Sequence, residues 1–148
     1  MIQKIFEARK GEFLISTNPE RLELDRILGF ITRSYWANER PPKITSRAIE
    51  NSLCFGVYEE ENQVGFARVI SDYSTYAWLC DVFIDENYRG RGLGKWLIAS
   101  IMSHPELQSV RRWALATRDA HELYERFGFG KIKTPERLME YIQPYPDV

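Results

Sequence analysis

The stretch that decides the fold is Val82-Phe83-Ile84-Asp85-Glu86-Asn87-Tyr88-Arg89-Gly90-Arg91-Gly92-Leu93-Gly94-Lys95, in which an apolar strand runs into a glycine-rich loop and an apolar helix. Three alternating glycines allow the backbone to approach a ligand closely. The first turn of the helix offers unpaired N–H groups and a partial positive charge. Arg89, Arg91 and Lys95 add fixed charge at the same point. The stretch predicts an anion site of the kind that holds a pyrophosphate.

Two common phosphate-binding loops do not fit this stretch. The dinucleotide fingerprint G-x-G-x-x-G requires its third glycine one position later than Gly94. The P-loop, G-x-x-x-x-G-K-[ST], requires a glycine where Arg89 stands and a hydroxyl where Trp96 stands. On the residues alone, the alternative is a glycine-rich turn between a strand and a helix that binds no ligand.

The pattern that does fit is [RQ]-x-x-G-x-[GA], read as Arg89-Gly90-Arg91-Gly92-Leu93-Gly94. It resembles the acetyl-CoA pyrophosphate loop of the GNAT superfamily of N-acetyltransferases. Further along, Leu123-Tyr124-Glu125-Arg126-Phe127-Gly128-Phe129 resembles the L-Y-x-x-x-G-F helix end of the same family. The two motifs cover about the second half of the chain. One departure is Glu86, which stands where the family usually has a proline.

Composition indicates a globular protein and excludes several functional classes. The chain has 148 residues, of which 44% are hydrophobic, so we expect one domain spanning residues 1–148. A net charge of −1 gives no general attraction to nucleic acid or to anionic membranes. Without a signal peptide or an apolar span, the expected location is cytoplasmic. Eight tyrosines and four tryptophans are compatible with a homodimer.

The two cysteines and two histidines are scattered and give no metal-ligand spacing, so no metal is expected. Cys54 and Cys80 both lie in apolar, strand-like segments, which favours buried free thiols. Cys80 shares the alternation parity of Val82 and Ile84, so we expect it to be buried on the same side. No reactive cysteine is therefore expected at the site.

Hydrophobic periodicity predicts elements in the order β, α, α, β, β, β, α, β, α, β. The predicted helices are residues 20–32, a short helix from Thr45, residues 92–104, and a last helix with an Asp119–Glu122 capping box and Gly128 at its end. The predicted strands are a first strand or hairpin within 2–15, residues 53–57, 64–70, 76–84 and 113–116, and a closing strand pair over 129–142. A strand–helix–strand unit around the glycine loop implies one parallel pair in an otherwise antiparallel sheet.

The resemblance implies a single α+β domain with the GNAT-like fold. Its sheet is mixed and mostly antiparallel, with a local parallel pair splayed at the cofactor site, and about four helices flank it. The implied activity is acetyl-CoA-dependent N-acetyltransfer to a primary amine, by direct attack in a ternary complex without a covalent acyl-enzyme. The cosubstrate is then acetyl-CoA, and the acceptor is an unidentified small-molecule or peptide amine.

The resemblance also places the cofactor along the strand and the loop. Val82, Phe83 and Ile84 would bond the pantetheine arm through their backbone, and an N–H near Val82 or Phe83 would polarise the thioester carbonyl. Thr117 stands seven residues before Tyr124, where many relatives have an asparagine that contacts CoA. The loop residues carried over as cofactor-binding are Arg89, Gly90, Arg91, Gly92, Leu93, Gly94 and Lys95.

Tyr124 is the catalytic residue that the resemblance implies, because the family uses this tyrosine to protonate the departing thiolate. A phenol with a pKa of about 10 can donate that proton. Periodicity offers an alternative, since Ala120, Leu123, Tyr124 and Phe127 form one apolar helical face on which Tyr124 would be a plain core aromatic.

The acceptor side is expected at the break after the first helix. Tyr35, Trp36 and Arg40 lie there, where relatives place acceptor-binding residues, although the aromatic pair could equally pack as a lid on the sheet. Asp81 lies on the central strand near the reacting end. Tyr73, Tyr76 and Trp78 could extend the same wall. The general base stays open among Asp81, His121, Glu39 and Asp72, each of which also fits a surface residue or a cap.

Two other functions stay open. The chain could bind acyl-CoA as a non-catalytic sensor or regulatory module, or it could keep only the fold as an interaction domain. Retention of Tyr124 favours turnover over the sensor. The intact glycines of the loop favour a ligand over the interaction domain, because unused glycines carry a conformational entropy cost.

Overall fold

The computed structural model describes residues 4–147, which contain a six-stranded mixed sheet and four α-helices. The strands are β1 (Glu7–Lys10), β2 (Phe13–Ser16), β3 (Leu53–Glu59), β4 (Asn62–Ser71), β5 (Tyr76–Ile84) and β6 (Arg112–Leu115). The helices are α1 (Leu24–Thr32), α2 (Pro42–Glu50), α3 (Leu93–Met102) and α4 (His121–Glu125).

The strands follow chain order across the sheet, from β1 at one edge to β6 at the other. Neighbouring strands are antiparallel except β5 and β6, which are parallel and are connected through α3. The predicted α+β architecture and its local parallel pair are confirmed. No helix in residues 4–147 is long and apolar enough to cross a membrane.

Each face of the sheet has its own hydrophobic cluster. On one face, α3 buries Leu97, Ile98 and Ile101 against β3 and its neighbours. On the other face, α1 packs against β4 and β5, and the Phe30 and Phe83 rings stack with their centroids 4.6 Å apart. The apolar spacing within each helix explains this, because residues three or four apart share one helix face.

β5 contains a β-bulge centred on Asp81. Cys80 pairs with Arg68 of β4, and the last antiparallel partners include Phe83 with Phe66, so an extra residue of β5 lies between these pairs. Asp81 has a φ of 51°, in the left-handed region that residues other than glycine seldom adopt. The bulge therefore stores local strain in the middle of the central strand.

The bulge exchanges the two faces of β5. Leu79 before it and Val82 and Ile84 after it pack on the α3 face, while Phe83 packs against α1. Unbroken alternation would have placed Leu79 and Phe83 on one face. The prediction that Cys80 shares a side with Val82 and Ile84 is wrong for the same reason, and Cys80 is only half-buried.

The start of α4 also differs from its prediction. The Asp119–Glu122 capping box does not form, and α4 has no side-chain cap hydrogen bond at its N-cap residue, Ala120. The Thr117 hydroxyl instead accepts the Ala120 N–H at 3.0 Å, just before the helix. Gly128 follows the helix end with a φ of 95°, as its predicted position at the C-terminus requires.

The closing strand pair predicted over 129–142 is wrong. After α4 the described chain forms only one short 3-10 turn, Pro135–Arg137, and residues 130–147 are exposed throughout. Phe129 anchors the beginning of this segment through an edge-to-face contact with Tyr124, their centroids 5.9 Å apart. Strand propensity is present there, but within the described chain these residues join no sheet.

Candidate active site

The parallel pair splays apart at the carboxyl ends of β5 and β6. Their pairing stops at Leu79 and Leu115. Residues 80–84 consequently have no neighbouring strand on the β6 side within the described chain. The predicted splay is therefore confirmed. It leaves a strand edge whose backbone groups can bond an extended ligand.

A cleft of about 560 Å³ opens beside this edge. Its walls come from the α1–α2 loop, the end of β5, the glycine loop and the beginning of α4. Among the residues predicted to bind a cofactor, the cleft is lined by Val82, Phe83, Ile84, Arg89, Gly90, Gly92, Leu93 and Gly94. Arg91 and Lys95 are exposed and lie outside this lining, and the Arg91 guanidinium lies 4.9 Å from the Tyr88 ring centroid.

The glycine loop leaves open space above its backbone. Gly90 and Gly92 have φ values of 80° and 78°, which L side chains rarely adopt, and a Cβ at either position would meet no atom within 4 Å. Gly92 is the N-cap of α3 and provides no side-chain acceptor for the first-turn N–H groups. Open space, free N–H groups and a helix N-terminus together fit a pyrophosphate.

Two arginines line the same cleft, and both guanidiniums lie near the Phe83 ring. Arg89 donates from Nε to the Ile84 carbonyl at 3.2 Å and lies over the Phe83 ring. Arg33, at the end of α1, donates to both carboxylate oxygens of Glu86 at 3.1 and 3.3 Å. The residue that replaces the usual family proline thus ties the β5–α3 loop to α1, and this hydrogen bonding lowers the pKa of Glu86.

A smaller cavity of about 250 Å³ adjoins the cleft. Six residues line both spaces: Tyr35, Trp36, Val82, Asp119, Ala120 and Tyr124. The smaller cavity alone also has Trp78, Asp81 and Thr117 in its lining. The structure therefore brings Thr117 to the smaller cavity and not to the cleft that the glycine loop lines.

Tyr124 stands where the two spaces meet. Its side chain is 8% exposed. The hydroxyl makes no hydrogen bond to any residue of the described chain. Burial, with the nearby Tyr35 as a smaller effect, raises the pKa of Tyr124 to about 12. The phenol is therefore protonated at neutral pH and free to donate a proton or a hydrogen bond toward either space.

Asp81 is held by three other side chains. Oδ1 accepts from Trp36 Nε1 and Arg40 Nη2, both at 2.9 Å, and Oδ2 accepts from Arg40 Nη1 at 2.8 Å and Arg68 Nε at 2.9 Å. Burial alone would raise its pKa, but the hydrogen bonds from Arg40 and the charge of Arg68 lower the pKa to about 2. A carboxylate so fully occupied is a fixed anchor for Trp36, and it is poorly suited to act as a base.

The other three candidate bases lie away from both spaces. The Asp72 carboxylate accepts from the Thr75 hydroxyl and from backbone N–H groups of the β4–β5 turn. These hydrogen bonds lower the pKa of Asp72 and hold its carboxylate within the turn. Glu39 and His121 are exposed and line neither space. None of these three open candidates therefore lines either of the two spaces.

Asp119 is a carboxylate that sequence reasoning missed as a site residue. It lines both spaces, its side chain is 65% exposed, and its ion pair is with the neighbouring Arg118 at 3.5 Å. The D-x-x-E pattern before an apolar run is typical of a helix cap, and this signal concealed the residue. No other signal in the sequence distinguishes it.

Tyr35 connects the two walls of the site. Its hydroxyl accepts the Arg118 backbone N–H at 2.8 Å, and the Arg118 guanidinium lies 3.8 Å from the Tyr35 ring centroid. The Tyr35 and Trp36 rings meet edge to face with centroids 5.1 Å apart. The α1–α2 loop is thereby fastened to the loop before α4, so the aromatic pair forms a wall of the site.

Comparisons with known proteins identify the family to which the chain is similar. Residues 17–129 match the model of a family described as the acetyltransferase (GNAT) family. A protein of Gibberella zeae that is named an acetyltransferase is 30% identical over 139 residues, covering 78% of this chain and 77% of that protein. A solved structure from Xanthomonas campestris pv. campestris, assigned to the GNAT family, is 45% identical with a TM-score of 0.86, covering 89% of this chain and 94% of that one.

One further relative carries the name of its acceptor. The spermine/spermidine N(1)-acetyltransferase of Bacillus subtilis is 37% identical over 86 residues. That alignment covers 50% of this chain and 57% of the relative.

Proposed function

This chain belongs to the acetyltransferase (GNAT) family, and we propose that it transfers the acetyl group of acetyl-CoA to a primary amine. The observation that carries the proposal is the open edge of residues 80–84 beside the glycine loop. An extended arm can bond that edge while a pyrophosphate fills the space above Gly90 and Gly92. Acetyl-CoA has both an extended arm and a pyrophosphate, and it supplies a reactive thioester.

The residues of the cleft divide the binding among them. The backbone of Val82, Phe83 and Ile84 bonds the extended arm, and an N–H near Val82 or Phe83 polarises the acyl carbonyl. The bulge at Asp81 supports this role, because bulges take backbone groups out of the regular ladder and redirect them. The glycine loop and the first turn of α3 hold the phosphates, with Arg89 as the cation at the cleft wall.

Three further residues assist cofactor binding from outside the cleft lining, namely Arg91, Lys95 and Thr117. The two exposed cations, Arg91 and Lys95, add to the positive potential around the pyrophosphate. The Thr117 hydroxyl accepts from Ala120 and keeps its own hydrogen to donate into the smaller cavity. That position suits a contact near the reacting end of the cofactor.

Tyr124 donates the proton that the departing thiolate needs. It lies between the cleft and the smaller cavity, and its phenol is protonated at neutral pH and free of other hydrogen-bond partners in the described chain. The acetyl group moves directly to the amine, without a covalent acyl-enzyme. Burial raises the pKa of Cys80 to about 11, which disfavours the thiolate that a covalent route would require.

The smaller cavity receives the amine. Tyr35, Trp36 and Trp78 give it aromatic walls, and the Asp119 carboxylate lies at its border. Aromatic faces and a carboxylate both attract an ammonium group before it loses its proton. Asp81 fixes Trp36 by accepting its indole N–H, and Arg40 holds Asp81 in place through an ion pair. The amine named for the Bacillus subtilis relative supports an amine acceptor of small cross-section.

We further propose that residues 1–148 form one domain and that the protein is located in the cytoplasm.

Thermal stability with acetyl-CoA, CoA and ATP tests the cofactor. Acetyl-CoA at about 100 times its dissociation constant is expected to add about 2.7 kcal/mol of stability, seen as a rise in Tm. CoA should act likewise, and ATP should not. Thiol release on addition of primary amines then tests turnover. A shift without thiol release from any amine would favour the non-catalytic sensor, and no shift would contradict the proposal.

Gly92→Val localises the pyrophosphate, with Gly11→Val as its matched control. Both glycines have positive φ values, 78° and 60°, and a Cβ at either would meet no atom within 4 Å, so both variants suffer similar backbone strain. Gly11 lies in the β1–β2 turn and does not line the cleft. We expect the Gly92 variant to lose acetyl-CoA binding and the Gly11 variant to keep it. Equal affinity in the two variants would remove the loop from the binding site.

A further inference from the structure

Arg33 lines the cleft from the end of α1, although no pattern in the sequence marks it as a site residue. Its guanidinium carbon lies 5.5 Å from the Phe30 ring centroid and 5.6 Å from the Phe83 ring centroid. The guanidinium carbon of Arg89 lies 5.5 Å from the same Phe83 centroid. Two cations are therefore gathered at one ring of the strand that forms the open edge.

These two cations share one carboxylate within the described chain. Glu86 accepts from Nε and Nη2 of Arg33 at 3.1 and 3.3 Å, so the carboxylate fills the fork of that guanidinium. Arg89 donates only from Nε, to the Ile84 carbonyl, and its two terminal nitrogens have no hydrogen-bond partner in residues 4–147. Two guanidiniums and one carboxylate leave one positive charge unmatched at the wall of the cleft.

A phosphate can take the place of the Glu86 carboxylate. A guanidinium bonds carboxylate and phosphate oxygens through the same pair of parallel N–H donors. The Arg33 and Glu86 side chains are 48% and 47% exposed, and an ion pair that water screens so strongly contributes little to stability. Exchange of Glu86 for another anion therefore costs the fold little.

The position of Arg33 favours an anion that comes from the cleft. Arg33 is part of the cleft lining, whereas Glu86 is not. Nη1 of Arg33 also donates to the Gly29 carbonyl at 3.1 Å, which ties the guanidinium to α1 independently of Glu86. Glu86 is exposed on the short 3-10 turn Glu86–Tyr88, so its side chain can turn to solvent when a phosphate in the cleft bonds Arg33.

We propose that Glu86 occupies the Arg33 guanidinium in the free protein as an internal stand-in for a phosphate, and that a phosphate of the cofactor replaces it on binding. Arg33 is then a further cofactor-binding residue, and Glu86 lowers the affinity because the cofactor must displace it. This inference rests on the proposed function, since acetyl-CoA supplies the phosphates. The cofactor carries them as a pyrophosphate and as a 3′-phosphate, and the fork of Arg33 accepts either.

Calorimetric titration of the full chain with acetyl-CoA tests the exchange through a double-mutant cycle of Arg33→Gln and Glu86→Gln. We expect Arg33→Gln to raise the dissociation constant about tenfold, because a charge-assisted hydrogen bond is lost. Glu86→Gln should lower the dissociation constant about threefold when Arg33 is present, since a neutral amide competes less well for the fork. In the Arg33→Gln background the same change should have no effect.

Two results of the cycle would overturn the proposal. One is an unchanged dissociation constant in Arg33→Gln. The other is a gain from Glu86→Gln that persists without Arg33, because such a gain would reflect only the loss of a negative charge near an anionic ligand. The melting temperature of each variant without ligand separates lost binding from lost folding.

Dephospho-CoA, which has a hydroxyl in place of the 3′-phosphate, distinguishes the two phosphate sources. If the effect of Arg33→Gln disappears with dephospho-CoA, the guanidinium binds the 3′-phosphate, and if the effect is undiminished it binds the pyrophosphate. Both results support the exchange. A wild-type chain that binds neither ligand would contradict the proposed function itself, whereas tight binding with equal constants in all variants would overturn this inference alone.

Discussion

Tyr124 combines two properties that a proton donor needs, a hydroxyl that is protonated at neutral pH and one that has no hydrogen-bond partner in the described chain. Tyr124→Phe removes only that hydroxyl and keeps the ring contact with Phe129. We expect turnover, measured by thiol release, to fall about 10- to 1000-fold while acetyl-CoA affinity, measured by calorimetry, stays nearly constant. Wild-type turnover in this variant would leave Tyr124 as a core aromatic only.

Tyr58→Phe is the matched control for that experiment. Tyr58 is another buried tyrosine, but it lies on β3 outside both site cavities. Its hydroxyl is buried without a hydrogen-bond partner in the described chain. Removing an unsatisfied hydroxyl should leave turnover unchanged and stability equal or slightly higher. A parallel loss of turnover in both variants would indicate a general effect of removing buried hydroxyls.

At the scale of elements, β5 is fixed by the ion-pair network at its bulge. Asp81→Asn tests this network, because asparagine tolerates the positive φ of this position but cannot neutralise Arg40 and Arg68. The two guanidiniums are 12% and 9% exposed, so they would stay buried without a counter-ion. We expect the free energy of unfolding, measured with urea, to fall by about 3–5 kcal/mol.

The surface pair between Arg33 and Glu86 provides the comparison for this prediction. Its side chains are 48% and 47% exposed, and water screens such a pair strongly. Glu86→Gln should therefore change stability by less than about 1 kcal/mol. An equally small loss from Asp81→Asn would mean that the buried network contributes little to the stability of β5.

Local patterns in the sequence predicted most elements, and the failures have long-range causes. Residues 76–84 form β5 as predicted, and α3 lies within the predicted 92–104, because alternation and helical periodicity are local signals. The bulge at Asp81 depends on the register with β4, which the β5 sequence alone does not contain. Residues 129–142 have strand propensity, but a strand also needs a neighbour, and propensity does not supply one.

The same distinction applies to the site. The glycine loop and the Tyr124 motif are contiguous, so they could be predicted from their residues. Asp81 looked available as a base because its partners are distant in sequence, with Arg40 41 residues and Arg68 13 residues away. Asp119 was hidden by a cap pattern that the fold does not use. Burial and pairing decide these roles, and both arise only when the chain is folded.

At the scale of the whole molecule, the cleft lies where the two hydrophobic clusters meet. The bulge sends Phe83 into the α1 cluster, and it sends Val82 and Ile84 into the α3 cluster. Both faces of the sheet therefore support the same short run of backbone. The ion pairs of Asp81 with Arg40 and Arg68 lie in this same strand, just before that run of backbone.

A buried histidine links global stability to pH. His104 is 2% exposed and lies between the Phe6 and Phe55 rings, with centroids 5.1 and 5.7 Å away. Its Nδ1 accepts the Glu106 N–H at 3.1 Å, and its Nε2 is buried without a partner in the described chain. Burial lowers the pKa of His104, against a smaller opposing effect of Glu106. The folded protein therefore favours the neutral ring.

This lowered pKa predicts the direction of an acid-induced loss of stability. Below the ordinary histidine pKa of about 6.5, this histidine is protonated in the unfolded chain but still neutral in the folded protein. The free energy of unfolding therefore falls as the pH drops toward the pKa of folded His104. Above pH 6.5 this contribution is complete and constant.

His104→Asn keeps an N-cap acceptor for the Glu106 N–H but does not titrate. Urea denaturation between about pH 7.5 and 5 should give a flatter pH dependence for His104→Asn than for wild type, whatever its absolute stability. Parallel curves for the two proteins would mean that His104 does not control the acid sensitivity of the fold.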